Sequence, residues 1–148
     1  NWHERGVYME RGILETGPAE MSLYGMENWR LPSCNIHRYT IRTDGFVSVQ
    51  AGYKGGEFVT PPFTFTGTQL ELNYSTSAVG SVRVEVQDTP GRPEEGFSLE
   101  DCPEIFGDET EGIVNWESHA ELQSLAGQPV RLRFVLKDAD LYAFRFRQ

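Results

Sequence analysis

Carboxylates are the most numerous side chains in this sequence that could do chemistry, and they are concentrated in one region. Ten of the 22 acidic residues lie between Pro93 and Val130, a range that contains no Lys or Arg. Calcium is a hard cation that takes several carboxylate and carbonyl oxygens. The candidate ligands in the stretch SLEDCPEIFGDETEGIV are Asp101, Glu104, Asp108 and Glu109. Their spacing differs from that of an EF-hand. The alternative interpretation is a surface loop whose charges are solvated or paired with arginines.

Motifs for catalysis are missing. The sequence has no GxSxG, HExxH, phosphate-binding glycine loop or paired CxxC. The histidines, His3, His37 and His119, are isolated and share no spacing typical of metal ligands. We therefore predict no catalytic residue and no metal-binding residue, and we expect a protein that binds rather than catalyses.

Three aromatic residues lie in or beside predicted loops and next to charged neighbours: Trp29, Tyr53 and Trp116. Exposed aromatic rings are the surfaces on which the faces of sugar rings stack. These three residues are therefore candidate carbohydrate-binding residues. Packing in the core or at its rim is the alternative for each ring.

Arginines on the predicted strands form the second candidate feature. Eleven of the thirteen basic residues are Arg, whose rigid guanidinium fork suits bidentate contacts with carboxylates or sugar hydroxyls. If the apolar residues turn inward, Arg83, Arg131 and Arg133 point outward. This polar face could be the floor of a glycan-binding groove, or a solvated face held by cross-strand ion pairs.

The elements that must position these residues are strands. Alternation of apolar and polar residues predicts strands over 36–42, 46–50, 57–65, 69–75, 81–88, 130–137 and 140–147. The first two are joined by Thr-Asp-Gly, a hairpin signal. Pro61 and Pro62 cannot donate ladder hydrogen bonds, so their strand must bend or lie at a sheet edge.

The same alternation predicts which side chains are buried. They are Leu70, Leu72, Tyr74, Val82, Val84, Val86, Leu132, Phe134, Leu136, Tyr142, Phe144 and Phe146. One short helix is predicted from the capping box at 118–121, the apolar Leu122 and Leu125, and the terminating Gly127. The predicted fold is all-β, an antiparallel β-sandwich of the jelly-roll type with one short helix.

The chain of 148 residues is expected to form one compact domain. Residues 36–148 would form the sandwich, and residues 1–35 an aromatic connecting or wrapping segment with short edge strands at 12–15 and 21–24. The net charge of −9 disfavours nucleic acid and anionic membranes as partners, and no apolar run is long enough to span a membrane. Cys34 and Cys102 could form a disulfide or remain two buried thiols.

The segments RTDGFVSVQAGYKGGEFVTPPFTFTG, GSVRVEVQD, GFSLEDCPEIFGDE and LAGQPVRLRFVLKDADLYAFRF resemble a recurring C-terminal β-sandwich domain of secreted bacterial proteins. In that group the domain follows a five-bladed β-propeller similar to invertase- and arabinanase-type glycoside hydrolases. The resemblance covers about residues 36–146, and LETGPAEMSLYGMENWRLP resembles the connection that leaves the propeller. The start at Asn1 without a methionine indicates a fragment or a processed form.

The resemblance implies a non-catalytic, carbohydrate-binding accessory module that holds a glycoside-hydrolase-like protein on a polysaccharide. The expected partners are a polysaccharide or oligosaccharide and a propeller domain in the same chain, and the expected location is extracellular or periplasmic. No cofactor is expected apart from the calcium considered above. The alternatives are a structural sandwich that buttresses the propeller and a free-standing jelly-roll glycan lyase or hydrolase.

Overall fold

A computed structural model describes residues 6–118 and 120–148. The chain divides between Phe46 and Val47 into two compact units. The strands are β1 (Tyr8–Met9), β2 (Leu14–Gly17), β3 (Glu20–Glu27), β4 (Asn35–Arg42), β5 (Val49–Ala51), β6 (Gly56–Val59), β7 (Gln69–Gln87), β8 (Asp108–Ile113) and β9 (Arg131–Arg147). A single turn of 3₁₀ helix, Leu122–Leu125, is the only helical element in the described part of the chain. The predicted all-β, antiparallel, sandwich-like fold is confirmed, with two curled sheets.

The described residues contain no helix with the length and apolar character that crossing a membrane requires.

The first unit contains one antiparallel sheet built around β3. Strand β4 pairs with β3 over its whole length, from Glu20 opposite Arg42 to Glu27 opposite Asn35. Strands β1 and β2 lie along the other edge of β3. The sequence predicted only short edge strands here, whereas β3 is the central strand of the sheet.

The predicted hairpin between 36–42 and 46–50 is wrong. A tight turn does form, because the amide of Gly45 donates to the carbonyl of Arg42 at 2.9 Å. The strand after this turn, β5, pairs with β9, and the strand before it pairs with β3. For this reason β4 belongs to the first unit, although the sequence placed the start of the sandwich at residue 36.

The second unit is organised by β7 and β9, which have 19 and 17 residues. Each long strand joins two of the predicted shorter ones. The two strands pair antiparallel from Gln69 opposite Arg147 to Gln87 opposite Arg131. Strands β5 and β6 pair with the outer edge of β9, and β8 pairs with the outer edge of β7.

Two irregularities in the β7–β9 ladder make the sheet curl. The register shifts between Asn73 and Tyr74 and again between Thr76 and Ser81. Such bulges bend a strand and increase its twist. Consequently both halves of β7 contribute to one core cluster, in which Leu72 and Val84 are fully buried.

The bulges also change which residues of β9 are buried. The predicted burial of Val82, Val84 and Val86 of β7 and of Leu132, Phe134 and Leu136 of β9 is confirmed. Beyond the bulge the alternation changes phase, so that Ala139 and Leu141 are buried instead. Tyr142 and Phe146 are only partly buried. Phe144, predicted to be buried, is 36% exposed, although its ring lies 5.4 Å from that of Phe134.

Side chains complete the hydrogen bonding of β7 where no strand lies beside it. At Val84 the backbone amide donates to Sγ of Cys102 at 3.3 Å. The carbonyl of Val84 accepts a bond of 3.1 Å from Nε1 of Trp116. A buried backbone group without a partner is costly, so these two side chains stabilise the edge of the central strand.

The short helix differs from the one predicted. It is one turn of 3₁₀ type, and its N-cap is Glu121, which makes no side-chain capping bond. Ser118 instead donates to the carbonyl of Gly96 at 2.5 Å, and the predicted position His119 lies outside the described residues. The interpretation of Pro61-Pro62 is confirmed, because β6 ends at Val59 and lies at the sheet edge.

Gly80 provides a test of the irregularity in β7. A Cβ atom there would lie 2.3 Å from the carbonyl oxygen of Asp138 and 2.8 Å from that of Lys137. We expect Gly80→Ala to lower the free energy of unfolding by about 1–3 kcal/mol because both clashes are with backbone. Gly52→Ala is the matched control, since a Cβ at Gly52 has no neighbour within 4 Å. Equal urea midpoints for the two variants would contradict the close contact between the Gly80 backbone and the carbonyl oxygens of Lys137 and Asp138.

Candidate functional site

An open cleft lies on the polar face of the second unit. Its volume is about 440 Å³, and its lining includes the turn between β5 and β6, the face of β7 and β9, and Glu104. The floor is one row of residues across three strands, because Glu57 of β6 and Arg83 of β7 both lie opposite Val135 of β9. Residues directly opposite each other in antiparallel strands project from the same face.

The turn that carries Tyr53 is anchored to β9. The carbonyl of Gly52 accepts hydrogen bonds from the amides of Gly55, at 2.9 Å, and of Asp138, at 3.0 Å. Gly55 has φ of +77°, a conformation that favours glycine. These bonds fix the backbone on both sides of Tyr53 and Lys54 at the rim of the cleft.

Tyr53 presents an accessible aromatic ring. The residue is 69% exposed, and Nζ of Lys137 lies 5.2 Å from the ring centroid. An ammonium group at this distance is attracted to the ring by a cation–π interaction. Tyr53 lies in a loop, as predicted, and its role as a carbohydrate-binding residue stays a prediction.

Trp116 lies in a loop, as the sequence predicted, but its ring is part of the core, which is the alternative considered for this residue. It is 8% exposed, its Nε1 bonds to the carbonyl of Val84, and its ring packs edge-on against Phe97 at 5.1 Å. The preceding acidic loop runs beside β7, and this places the indole against the core. The ring is therefore not open for stacking with a ligand.

Trp29 belongs to the first unit. It is 55% exposed, and its ring lies 5.9 Å from that of Tyr8. Of the three predicted aromatics, only Tyr53 lines the cleft.

The predicted arginines divide between the cleft and an ion-pair array. Arg83 lines the cleft. Arg133 donates to Glu57 at 2.6 Å and to Glu85 at 3.5 Å, and the bond that Glu57 accepts raises the pKa of Arg133. Arg131 has a buried Nε with no hydrogen-bond partner among the described residues.

A second ion-pair array lies at the other end of the polar face. Arg145 and Arg147 bond to the two carboxylate oxygens of Glu71 at 2.7 and 3.1 Å. Arg145 also bonds to Glu111 of β8 at 2.6 Å. Glu71 is 4% exposed, and the bond from Arg145 holds the pKa of this carboxyl below its ordinary value. The alternative of cross-strand ion pairs therefore describes Arg133, Arg145 and Arg147.

The acidic stretch does not form a metal site in the described part of the chain. Residues 6–118 and 120–148 contain no group of three or more His, Cys, Asp or Glu residues that could hold a metal ion. Asp101 accepts bonds from the amide and hydroxyl of Ser98 at 3.2 and 2.7 Å, whereas Glu104 lines the cleft. Asp108 and Glu109 begin β8.

Both cysteine thiols are free, and Cys34 is exposed while Cys102 is buried. Burial raises the pKa of the Cys102 thiol. The alternative of unpaired thiols is therefore confirmed for both residues, and the expectation of burial is confirmed for Cys102 alone.

A second depression, of about 410 Å³, is lined by residues that include Gln69, Asn115, Glu121 and Gln123. Its described lining contains no basic residue, and its one aromatic is the buried Trp116. The cleft beside Tyr53 is therefore the stronger candidate for a binding site.

Four charged residues of this cleft were not predicted as binding residues: Lys54, Glu57, Lys137 and Glu104, the last of which was considered only as a calcium ligand. One signal was present, because Lys54 and Lys137 are the only lysines of the chain. The register of β9 against the β5–β6 turn brings them together, and the sequence pattern does not reveal that register.

Comparison with known proteins gives no match, whether to a family model, to a curated protein or to a solved structure.

Glu71 provides a test of the ion-pair arrays. We expect Glu71→Gln to lower the free energy of unfolding at pH 7 by about 1–3 kcal/mol, because two arginines lose a charged acceptor. The folded-state pKa of Glu71 is depressed, so its contribution is complete above the unfolded value of about 4.3. It is lost as the pH falls through the folded value.

The measurement is urea unfolding of the wild type and the variant from pH 7 to pH 3. The difference in stability between the two proteins should narrow as the pH falls below about 4.3. Glu100→Gln, at an exposed residue, is the control. A difference that stays constant with pH would show that the carboxylate charge is not what stabilises the array.

Proposed function

We propose that the second unit is a non-catalytic carbohydrate-binding module and that a polysaccharide binds in the cleft beside Tyr53. The observation that carries the proposal is an exposed aromatic ring over a polar floor that contains an arginine, namely Tyr53 and Arg83. Aromatic rings with a few convergent polar groups are typical of sugar-binding sites. The sequence resemblance to accessory domains of glycoside-hydrolase-like proteins supports the same function, and with it an extracellular or periplasmic location.

The cleft is suited to a chain-like ligand. It is open along the polar face, and its floor is set by paired strands while its rim is a turn bonded to β9. Both are fixed before a ligand arrives, so little conformational entropy is lost on binding. Sugar hydroxyls can bond to the unpaired donors of the cleft, and a ring face can contact Tyr53.

The test is affinity electrophoresis of the purified chain through gels that contain a panel of plant, algal and bacterial polysaccharides. We expect retention by at least one polysaccharide. Tyr53→Ala should weaken it by about tenfold, because stacking on an aromatic ring contributes about 1–2 kcal/mol. Phe106→Ala is the matched control, since Phe106 is a 72% exposed aromatic of the same unit outside the cleft lining.

Equal retention of the Tyr53→Ala variant would place the binding surface elsewhere, and no retention on the whole panel would refute the proposed function. Release of reducing ends or unsaturated products by the purified chain would replace binding with catalysis.

A second candidate function concerns the first unit, a structural contact with a neighbouring domain such as a β-propeller. Several large apolar residues of its sheet are exposed: Val7, Tyr8, Met9, Ile13, Leu14 and Ile36, each 42–62% exposed. Tyr8 and Ile36 both lie opposite Met26 of β3, so the side chains of these three residues project from the same face of the sheet. Contiguous exposed apolar surface is typical of contact sites.

The double variant Tyr8→Ser/Ile36→Ser tests this contact. We expect it to reduce binding of a hydrophobic dye and any concentration-dependent association of the 148-residue chain. Phe106→Ser/Val79→Ser, at exposed apolar residues of the second unit, is the control. A monomeric wild-type chain that binds no dye would contradict an apolar contact surface on the first unit.

A further inference from the structure

Both lysines of the chain line the cleft that we propose as the carbohydrate site. Lys54 follows Tyr53 in the β5–β6 turn, Lys137 lies on β9 with its ammonium over the Tyr53 ring, and Arg83 lies on the floor. The chain as a whole has a net charge of −9 and contains only two lysines. Three cationic side chains in one cleft therefore give this part of the surface a charge of opposite sign to that of the whole chain.

Among residues 6–118 and 120–148, these three cations form no ion pair, unlike most other bases of the second unit. Arg92, Arg133, Arg145 and Arg147 each form an ion pair with a carboxylate at 2.6–3.1 Å. In the described part of the chain, the side chains of Lys54, Arg83 and Lys137 make no hydrogen bond or ion pair, and the ammonium of Lys137 contacts only the Tyr53 ring. Their charges are therefore available to a ligand.

The carboxylates of the cleft leave an excess of positive charge. The lining contains two acids, Glu57 and Glu104, against three bases. Glu57 is already bonded to Arg133 at 2.6 Å. Interactions between exposed charges are screened beyond about 8–10 Å at physiological ionic strength. An anionic group inside the cleft would consequently interact with the local bases more strongly than with the acids elsewhere on the chain.

We propose that the glycan bound in this cleft is acidic, with uronic-acid carboxylates bound by Arg83, Lys54 and Lys137 while a sugar ring contacts Tyr53. This inference rests on the carbohydrate-binding function proposed above. The planar fork of Arg83 can bond to both oxygens of a carboxylate, and sulfated polysaccharides, which present two oxygens in the same way, are tested separately below. The two lysines provide compact positive charges for the carboxylates of neighbouring sugar units.

The ligand is expected to be a polymer and not a single sugar. One exposed ion pair contributes only about 0–1 kcal/mol. A chain of uronate units presents its carboxylates to several bases at once. Because the units are linked, the overall affinity exceeds that of a single ion pair even though each contact is individually weak. Binding should therefore be weak for a monosaccharide and measurable for oligomers and polymers.

The test compares polygalacturonate with the same polymer after complete methyl esterification, which removes the charge and leaves the sugar unchanged. Affinity electrophoresis and calorimetry are carried out with the 148-residue chain in the presence of a calcium chelator, so that calcium cannot bridge the polymer to the protein. We expect the free acid to bind at least tenfold more tightly than the ester. We also expect its affinity to fall at 0.5 M NaCl because of charge screening.

Variants of the three cleft cations test whether these side chains cause the tighter binding of the free acid. Arg83→Gln should weaken binding of polygalacturonate by about tenfold, since it removes a charged hydrogen-bond donor. Lys54→Gln and Lys137→Gln should each weaken it less. Arg92→Gln is the control, because it removes the same charge from an 80% exposed side chain outside the cleft lining and should not change the affinity.

The possible failures are distinguishable. Equal binding of the acid and its methyl ester would overturn the acidic ligand and leave carbohydrate binding intact. Retention by a sulfated galactan but not by polygalacturonate would overturn the carboxylate assignment. Retention by no polysaccharide would overturn both this inference and the function on which it rests.

Discussion

The pairing of β7 with β9 is the constraint on which the second unit depends. These two strands form the longest ladder of the described chain, and every other strand of their sheet pairs with one of them. Their apolar faces supply most of the core, including Leu72, Val84 and Phe134. Their register also places Arg83 beside Val135 and thereby sets the floor of the cleft. Packing and binding surface thus follow from the same ladder.

The polar face of this sheet has one region in which arginines form ion pairs with carboxylates and another in which the cationic side chains do not. At Glu71 and Glu85, carboxylates on β7 accept bonds from arginines on β9, and the burial of each acid is compensated by these donors. A buried charge without such donors would be strongly unfavourable. At Arg83 the arrangement is the opposite, because this half-buried cation forms no ion pair with a carboxylate of residues 6–118 and 120–148. The first region stabilises the sheet, and the second is open to a partner.

Much of the fold could be predicted from the sequence because alternation reports burial directly. Val82, Val84 and Val86 of β7 and the first half of β9 follow a strict period of two, and they are buried as predicted. Tyr142 was misassigned because the bulge before it changes the phase of β9, so that Ala139 and Leu141 are buried instead. Phe144 does lie opposite the buried Leu72, yet it is 36% exposed, and alternation does not indicate how fully a side chain on the core face is covered. The hairpin at Thr43–Gly45 was misassigned because a turn signal does not determine which strands pair beyond it.

The candidate site was only partly predictable, for a different reason. Tyr53 and Arg83 could be singled out by residue type, whereas Trp116 has the same local signals as Tyr53 and is in the core. Whether a loop aromatic packs inward depends on the path of the acidic loop along β7, which is a long-range contact. Lys54 and Lys137 line the same cleft because of the register of β9, which is also a long-range feature. Residue type therefore indicates candidates, and strand register decides which of them share a surface.

Binding of an acidic glycan beside Tyr53 can be tested by an amide NMR titration of the chain with a short oligogalacturonate. We expect saturable shifts at Tyr53, Lys54, Arg83 and Lys137, with little change around Glu71 and Arg145. Shifts confined to another part of the molecule, or no shifts with any acidic or neutral oligosaccharide, would contradict this expectation.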